Sequence, residues 1–154
     1  MTETVNGRPA AWLAGGKLLA AISASIVEMQ REHYGRAAMR AKTYALDDFV
    51  VVVMRGRGFT PLEQTIVDGG TPERVIAMRE EFQRLMQERY KRTIRQLTGR
   101  NVVACLSHAH LEPDITVEVF FIDGPLPGTG ALEIRDSGVG SPTAQQNGPS
   151  ANWG

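Results

Sequence analysis

The chain has 154 residues, 42% hydrophobic and 22% charged, with 17 Lys+Arg balanced by 17 Asp+Glu. That length suits one domain with its own core, and a net charge of zero argues against a polybasic nucleic-acid binder. Cys105 is the only cysteine, which excludes a disulfide framework, and no apolar run approaches the roughly 20 residues that span a bilayer. No signal peptide opens the chain, so a cytoplasmic protein is the expectation.

Residues 1–14 show no periodicity and read as a flexible leader. Over residues 17–34, Leu18, Leu19, Ile22, Ile26, Met29 and His33 recur at spacings of three and four, the stripe of an amphipathic helix that Gly35 stops. β-Branched residues on both sides of Asp47-Asp48 then predict a β-hairpin over residues 38–55. Its second strand, Phe49-Val50-Val51-Val52-Val53-Met54, is apolar on both faces and belongs inside a sheet.

Thr60-Pro61-Leu62-Glu63 is a helix start with the elements of a capping box, and that short helix stops near Asp68-Gly69-Gly70. A second start comes directly after, with Thr71 as cap, Pro72 in the first turn and Glu73 near the positive end of the helix dipole. Val75, Met78, Phe82, Leu85, Met86, Tyr90, Ile94 and Leu97 carry a core-facing stripe to Thr98, and Gly99 ends it. Glu80 with Arg84, and Glu88 with Arg92, form i,i+4 pairs on the other face.

Residues 101–108 and 115–122 predict a second hairpin around Leu111-Glu112-Pro113-Asp114, with its second strand partly apolar on both faces. From Gly124 onward there are seven Gly and four Pro in 31 residues, too little apolar surface to offset ordering entropy. Residues 124–154 therefore read as a disordered tail, in which Ala131-Leu132-Glu133-Ile134 is the one stretch fit for an edge strand. The order α-β-β-α-β-β gives an α+β fold: a four-stranded antiparallel sheet with helices packed on one side. Gly35-Arg36 and Gly99-Arg100 stand at equivalent places before the two hairpins, and Asp48 and Asp114 at the two turns, an echo consistent with internal duplication or with the ordinary taste of helix ends for glycine.

Candidate chemistry is sparse. His108-Ala109-His110 puts two imidazoles on one strand face, and Asp114 supplies a carboxylate just past the turn. A metal-dependent enzyme or sensor using His108, His110 and Asp114 is the alternative function; the plainer reading is a solvated strand end. Cys105 reads as a small buried hydrophobe and Arg55-Gly56-Arg57-Gly58 as a plain turn, since no Lys-Ser/Thr succeeds its glycines. The long helix carries seven cations against four glutamates, interleaved as on a solvated, salt-bridge-laced face.

The ordered blocks Gly15-Gly16-Lys17, Tyr34-Gly35-Arg36, Ala41-Lys42-Thr43-Tyr44, Thr60-Pro61-Leu62-Glu63, Leu97-Thr98-Gly99-Arg100 and Pro113-Asp114-Ile115 resemble the small bacterial MpsC-like, or YbcI-like, domain over residues 15–123. The resemblance implies a small soluble component of a sodium-translocating, membrane-potential-generating system linked to inorganic-carbon uptake. It carries over no catalytic, cofactor-binding or metal-binding residue, and it implies a non-catalytic accessory or regulatory protein that binds a protein partner. Its partner would be a protein, such as a membrane cation-translocating or inorganic-carbon uptake complex, met in the cytoplasm or at the inner face of the membrane; nucleic acid is not an expected partner. A homodimer is expected from lengths: a 27-residue helix over residues 72–98 extends about 40 Å, beyond a sheet about 26 Å deep, and would leave Val75, Ile76, Met78, Ile94 and Leu97 projecting.

Overall fold

A computed structural model describes residues 4–5, 8–9, 14–36 and 38–128. In chain order the elements are β1 (Thr4–Val5), β2 (Arg8–Pro9), α1 (Gly15–His33), β3 (Arg40–Leu46), β4 (Phe49–Arg55), α2 (Pro61–Asp68), α3 (Glu73–Thr98), β5 (Val102–His110) and β6 (Ile115–Ile122). β1 and β2 pair only with each other, a two-residue ladder inside the aperiodic leader. The other four strands form one antiparallel sheet in the order β3-β4-β6-β5.

The order is set by composition. β4 and β6, the two strands richest in apolar residues, take the centre; β3 and β5, with more polar residues, take the edges. α1 packs over β3 and α3 over β5, and the two helices touch along the same side of the sheet. The arrangement relates α1-β3-β4 to α3-β5-β6 by a pseudo-twofold between β4 and β6, near the Val52–Glu118 pair. Leu46 pairs with Phe49 across a two-residue turn, in which Asp47 adopts a positive φ of 47°. Leu18, Ile22 and Ile26 of α1, Val50, Val52 and Met54 of β4, Tyr90 and Ile94 of α3 and Phe120 of β6 are fully buried between the layers.

Several expectations need correction. The buried stripe of α3 runs Val75, Arg79, Gln83, Met86, Tyr90, Ile94 and Thr98, so the face is rotated from the apolar positions: Leu85 is 65% exposed, and Phe82 is half-buried against Tyr34. Thr71 does not cap α3; its hydroxyl donates to the Ile66 carbonyl. The surface pairs that form are Arg84 with Glu81 and Lys91 with Glu88, one residue closer than expected, while Glu80 turns to His108. Nor do the ends of α3 project, because Val75 and Ile94 are fully buried and Ile76, Met78 and Leu97 partly so. The premise drawn from helix length for a homodimer is therefore absent. The packed chain also reaches past Ile122: Leu126 is buried, and the Gly15 N–H donates to the Pro127 carbonyl at 2.9 Å. Ala131-Leu132-Glu133-Ile134 and the rest of residues 129–154 lie outside the described residues.

Candidate functional site

Two polar networks run through the layer between helices and sheet. The inner face of β6 and the turn before it supply their base: Asp114, Thr116, Glu118, Phe120 and Ile122 share one parity, so that face passes from ionic to apolar along the strand.

At the ionic end four charged side chains neutralise one another. Arg79 donates from Nε and Nη2 to the two carboxylate oxygens of Glu63 at 2.7 and 2.8 Å, and from Nη1 to Asp114 at 2.8 Å. Its Nη2 also reaches the Gly58 carbonyl at 3.0 Å. Arg36 donates from Nη2 to both oxygens of Asp114 at 2.6 Å, and the Gly58 N–H donates to the same carboxylate at 2.9 Å. Glu63 closes the capping box with Thr60, accepting from the Thr60 N–H at 2.8 Å, and receives the Tyr34 hydroxyl at 2.5 Å. Burial alone would raise the Glu63 pKa, but the Arg79 pair, the Tyr34 hydroxyl and the Thr60 N–H outweigh it and hold the carboxyl low. Such a cluster repays its desolvation only when every member is paired, as here.

The loop Arg55-Gly56-Arg57-Gly58 is more than a plain turn. A Cβ at Gly56 would overlap Asp114 Oδ2 and stand 2.5 Å from Arg36 Nη2, and the Gly56 N–H donates to the Asp114 carbonyl at 3.1 Å. The loop wraps the carboxylate, and only glycine lets it come this close.

The second network has no cation. Glu118 is fully buried and accepts from Gln83 at 2.5 Å and from the Ser107 hydroxyl at 2.6 Å, with the Cys105 thiol 3.7 Å away. Gln83 in turn accepts from Gln30 at 2.7 Å and from the Tyr90 hydroxyl at 2.9 Å. Burial pushes the Glu118 carboxyl up to about 7, with the hydrogen bonds from Ser107, Cys105 and Gln83 pulling partly against it. Burial, then the neighbouring Glu118, push the Cys105 thiol up to about 12, the opposite of what a nucleophilic thiolate needs. Cys105 is half-buried, facing Glu118.

The structure does not bring His108, His110 and Asp114 together. Asp114 is committed to Arg36 and Arg79, His108 is an exposed edge residue beside Glu80, and the His110 ring bonds the Pro113 carbonyl at 2.8 Å. Among the described residues no group of three His, Cys, Asp or Glu is placed to hold a metal ion. Arg79, Gln30, Gln83 and Glu118 escaped the sequence reading because polar residues on an amphipathic pattern read as solvated. The available signal was parity: Glu118 shares a strand face with Phe120 and Ile122, and Arg79 lies four residues from Val75.

Among the described residues no helix covers the other face of the sheet. Strand registers align four rows across it: Leu46, Phe49, Phe121, Ala104; Tyr44, Val51, Val119, Leu106; Lys42, Val53, Val117, His108; and Arg40, Arg55, Ile115, His110. Phe49 and Phe121 stack at 5.8 Å in the first row, while Tyr44 and Leu106 in the second are 45% and 59% exposed. Arg40, Lys42 and Arg55 gather at one end, and no row contains a carboxylate.

A family model described as Na+-translocating membrane potential-generating system (MpsC) matches residues 14–124. No curated protein and no solved structure matches the chain. The matched stretch runs from the start of α1 to just past β6 and contains the whole ion cluster. No helix among the described residues is long and apolar enough to cross a membrane.

Proposed function

We propose, because this chain belongs to the MpsC family, that it is a non-catalytic accessory protein of a Na+-translocating, membrane-potential-generating system, docking a protein partner at the inner face of the membrane through the open face of its sheet. The observation that carries this reading is that face: apolar in two of its rows, cationic at one end, and covered by no helix among the described residues. Contiguous apolar surface of this kind marks interaction sites on soluble folds. The buried polar groups support a structural role for the interior, since Arg36, Arg79, Glu63 and Asp114 satisfy one another and Cys105 is held as a thiol.

Charge indicates the partner's chemistry. A complementary surface is apolar with carboxylates at the end that meets Arg40, Lys42 and Arg55. A second copy of the chain fits less well. With a twofold axis along the strands, cations face cations; with the axis across them, each cationic row lands on the partner's aromatic row. A bare anionic bilayer fits less well too, because cations confined to one end would tilt the face instead of seating it.

Leu106 and Leu85 make a matched test, being 59% and 65% exposed on opposite sides of the molecule. Leu106→Asp should cut co-purification with the membrane system's components at least about tenfold, and Leu85→Asp should leave it unchanged. Equal retention by both variants, or loss only with Leu85→Asp, would overturn the assignment of the face. Binding of the wild-type protein to anionic vesicles as tight as to cell membranes would replace the protein partner with lipid.

A further inference from the structure

β3 is an edge strand, and among the described residues no strand pairs with its outer side. The closing pair of a two-residue hairpin, in this chain Leu46 with Phe49, exchanges both of its backbone bonds. By alternation Tyr44, Lys42 and Arg40 bond to β4, and the N–H and C=O of Ala41, Thr43 and Ala45 point outward from the edge. The opposite edge, β5, is interrupted by a register shift between Val102 and Ala104, whereas β3 pairs with β4 without interruption over seven residues.

This edge is complementary to itself. Paired antiparallel with a copy of itself about Thr43, β3 overlaps along its whole length, from Arg40 against Leu46 to Leu46 against Arg40. Thr43 then meets Thr43 and Ala41 meets Ala45, the positions whose backbone groups point outward. Cations on an edge strand deter a second strand when like charges meet, but in this register Lys42 meets Tyr44 and no two cations stand opposite. Lys42 Nζ already lies 5.5 Å from the Tyr44 ring within one chain, so the pairing repeats an attraction the strand shows alone. A register centred on Lys42 sets lysine against lysine, and one centred on Tyr44 drops Ala41 opposite the turn at Asp47. α1 carries the same symmetry. Ser23 Oγ and Thr43 Oγ1 are 2.7 Å apart, which sets Ser23 beside an axis through Thr43. Leu19 and Val27, four residues before and after Ser23, are both half-buried. They line a groove of about 610 Å³ between α1 and β3, together with Gly16, Ala20, Ser23, Ala24 and residues 40–43. A twofold beside Ser23 exchanges the two ends of α1 and brings Leu19 to Val27 of the partner subunit. The exposed Gly16, Ala20 and Ala24 let the two antiparallel helices close on each other.

We propose that the protein forms a symmetric homodimer through β3 and α1, in which the two sheets join antiparallel at Thr43 into one eight-stranded sheet and each α1–β3 groove is closed by the α1 of the other copy. This interface uses the edge of β3 and not the ends of α3. It does not depend on the partner assigned to the open sheet face, but it doubles that face and sets its two cationic ends at diagonally opposite corners.

Light scattering on the full chain at micromolar concentration should give a mass near twice the 16.9 kDa of one copy. Ala24→Arg, at an exposed helix position inside the interface, should raise the dissociation constant at least about tenfold, and Leu85→Arg on the exposed side of α3 should leave it unchanged. Register is read by disulfide trapping in a Cys105→Ser background. Lys42 and Tyr44 form a non-hydrogen-bonded pair across the axis, with Cα atoms about 4.5 Å apart, within reach of a disulfide. Mixing Lys42→Cys with Tyr44→Cys under mild oxidation should therefore give a crosslinked dimer that neither variant gives alone. A mass of one copy that persists as concentration rises would overturn the dimer, and so would equal association of Ala24→Arg and wild type. Crosslinking of Tyr44→Cys alone, or none in the mixture, would overturn the axis at Thr43.

Discussion

Replacing Glu118 with glutamine should change how the protein's stability depends on pH more than it changes the structure. The carboxyl is itself fully buried and its partners are neutral, and its pKa is raised from an ordinary 4.5 to about 7. Below about pH 4.5 the group is neutral in both the folded and the unfolded chain and contributes no penalty. Between that pH and about 7 the unfolded chain releases the proton while the folded chain keeps it. The folded state then binds more protons, and stability falls as pH rises. Above about 7 the full penalty is present. At about 1.4 kcal/mol for each pH unit, the gap between the two pKa values is worth about 3 kcal/mol, a large share of the roughly 5–15 kcal/mol that holds a domain of this size. Glu118→Gln keeps the shape but has nothing to ionise. Urea titrations of both proteins from about pH 5 to 8 should show the variant gaining about 2.5 kcal/mol on the wild type across that range, on top of any constant offset from altered hydrogen bonds. Glu63, whose pKa is lowered, acts in the opposite sense and at lower pH, so it cancels from the difference. Parallel stability curves for the two proteins would refute the reasoning.

Gly56→Ala should destabilise by roughly 3 kcal/mol, because a Cβ there displaces Asp114 from Arg36 and leaves buried charge unpaired; chemical denaturation would measure it, and a loss below about 0.5 kcal/mol would mean the loop can yield. Met86→Ala, at a buried position, should cost about 2–5 kcal/mol while its neighbour Leu85→Ala costs less than about 0.5 kcal/mol, a contrast read from denaturation midpoints that would vanish if α3 presented its sequence-apolar face to the sheet.

The elements were legible because their signals are local. Asp47-Asp48 makes a two-residue turn, Thr60 and Glu63 make a capping box, and Gly99 adopts the left-handed conformation that ends α3. The centre of the sheet was legible too, from one strand apolar on both faces and a second partly so. The rotation of α3 was not, because Arg79 and Gln83 occupy core positions that only distant partners justify: Glu63, Asp114 and Glu118 lie 16 to 35 residues away. The capping box exposed half of what Glu63 does and concealed the other half, its pair with Arg79. For the same reason Asp114 read as a turn residue with a free carboxylate, when two arginines and a loop N–H hold it. Tyr34, Arg36, Glu63 and Asp114 all fall in the blocks that carry the MpsC resemblance, so those blocks encode the buried scaffold that supports the sheet.

The most direct measurement of the partner-docking claim is site-specific photo-crosslinking in living cells, with the reactive group placed at Leu106 on the open sheet face or at Leu85 on the helix layer. The expected result is an adduct from Leu106, and none from Leu85, with a protein component of the Na+-translocating membrane system. Adducts from Leu85 alone, or a Leu106 adduct formed only with lipid or with a second 16.9 kDa copy of the chain, would contradict it.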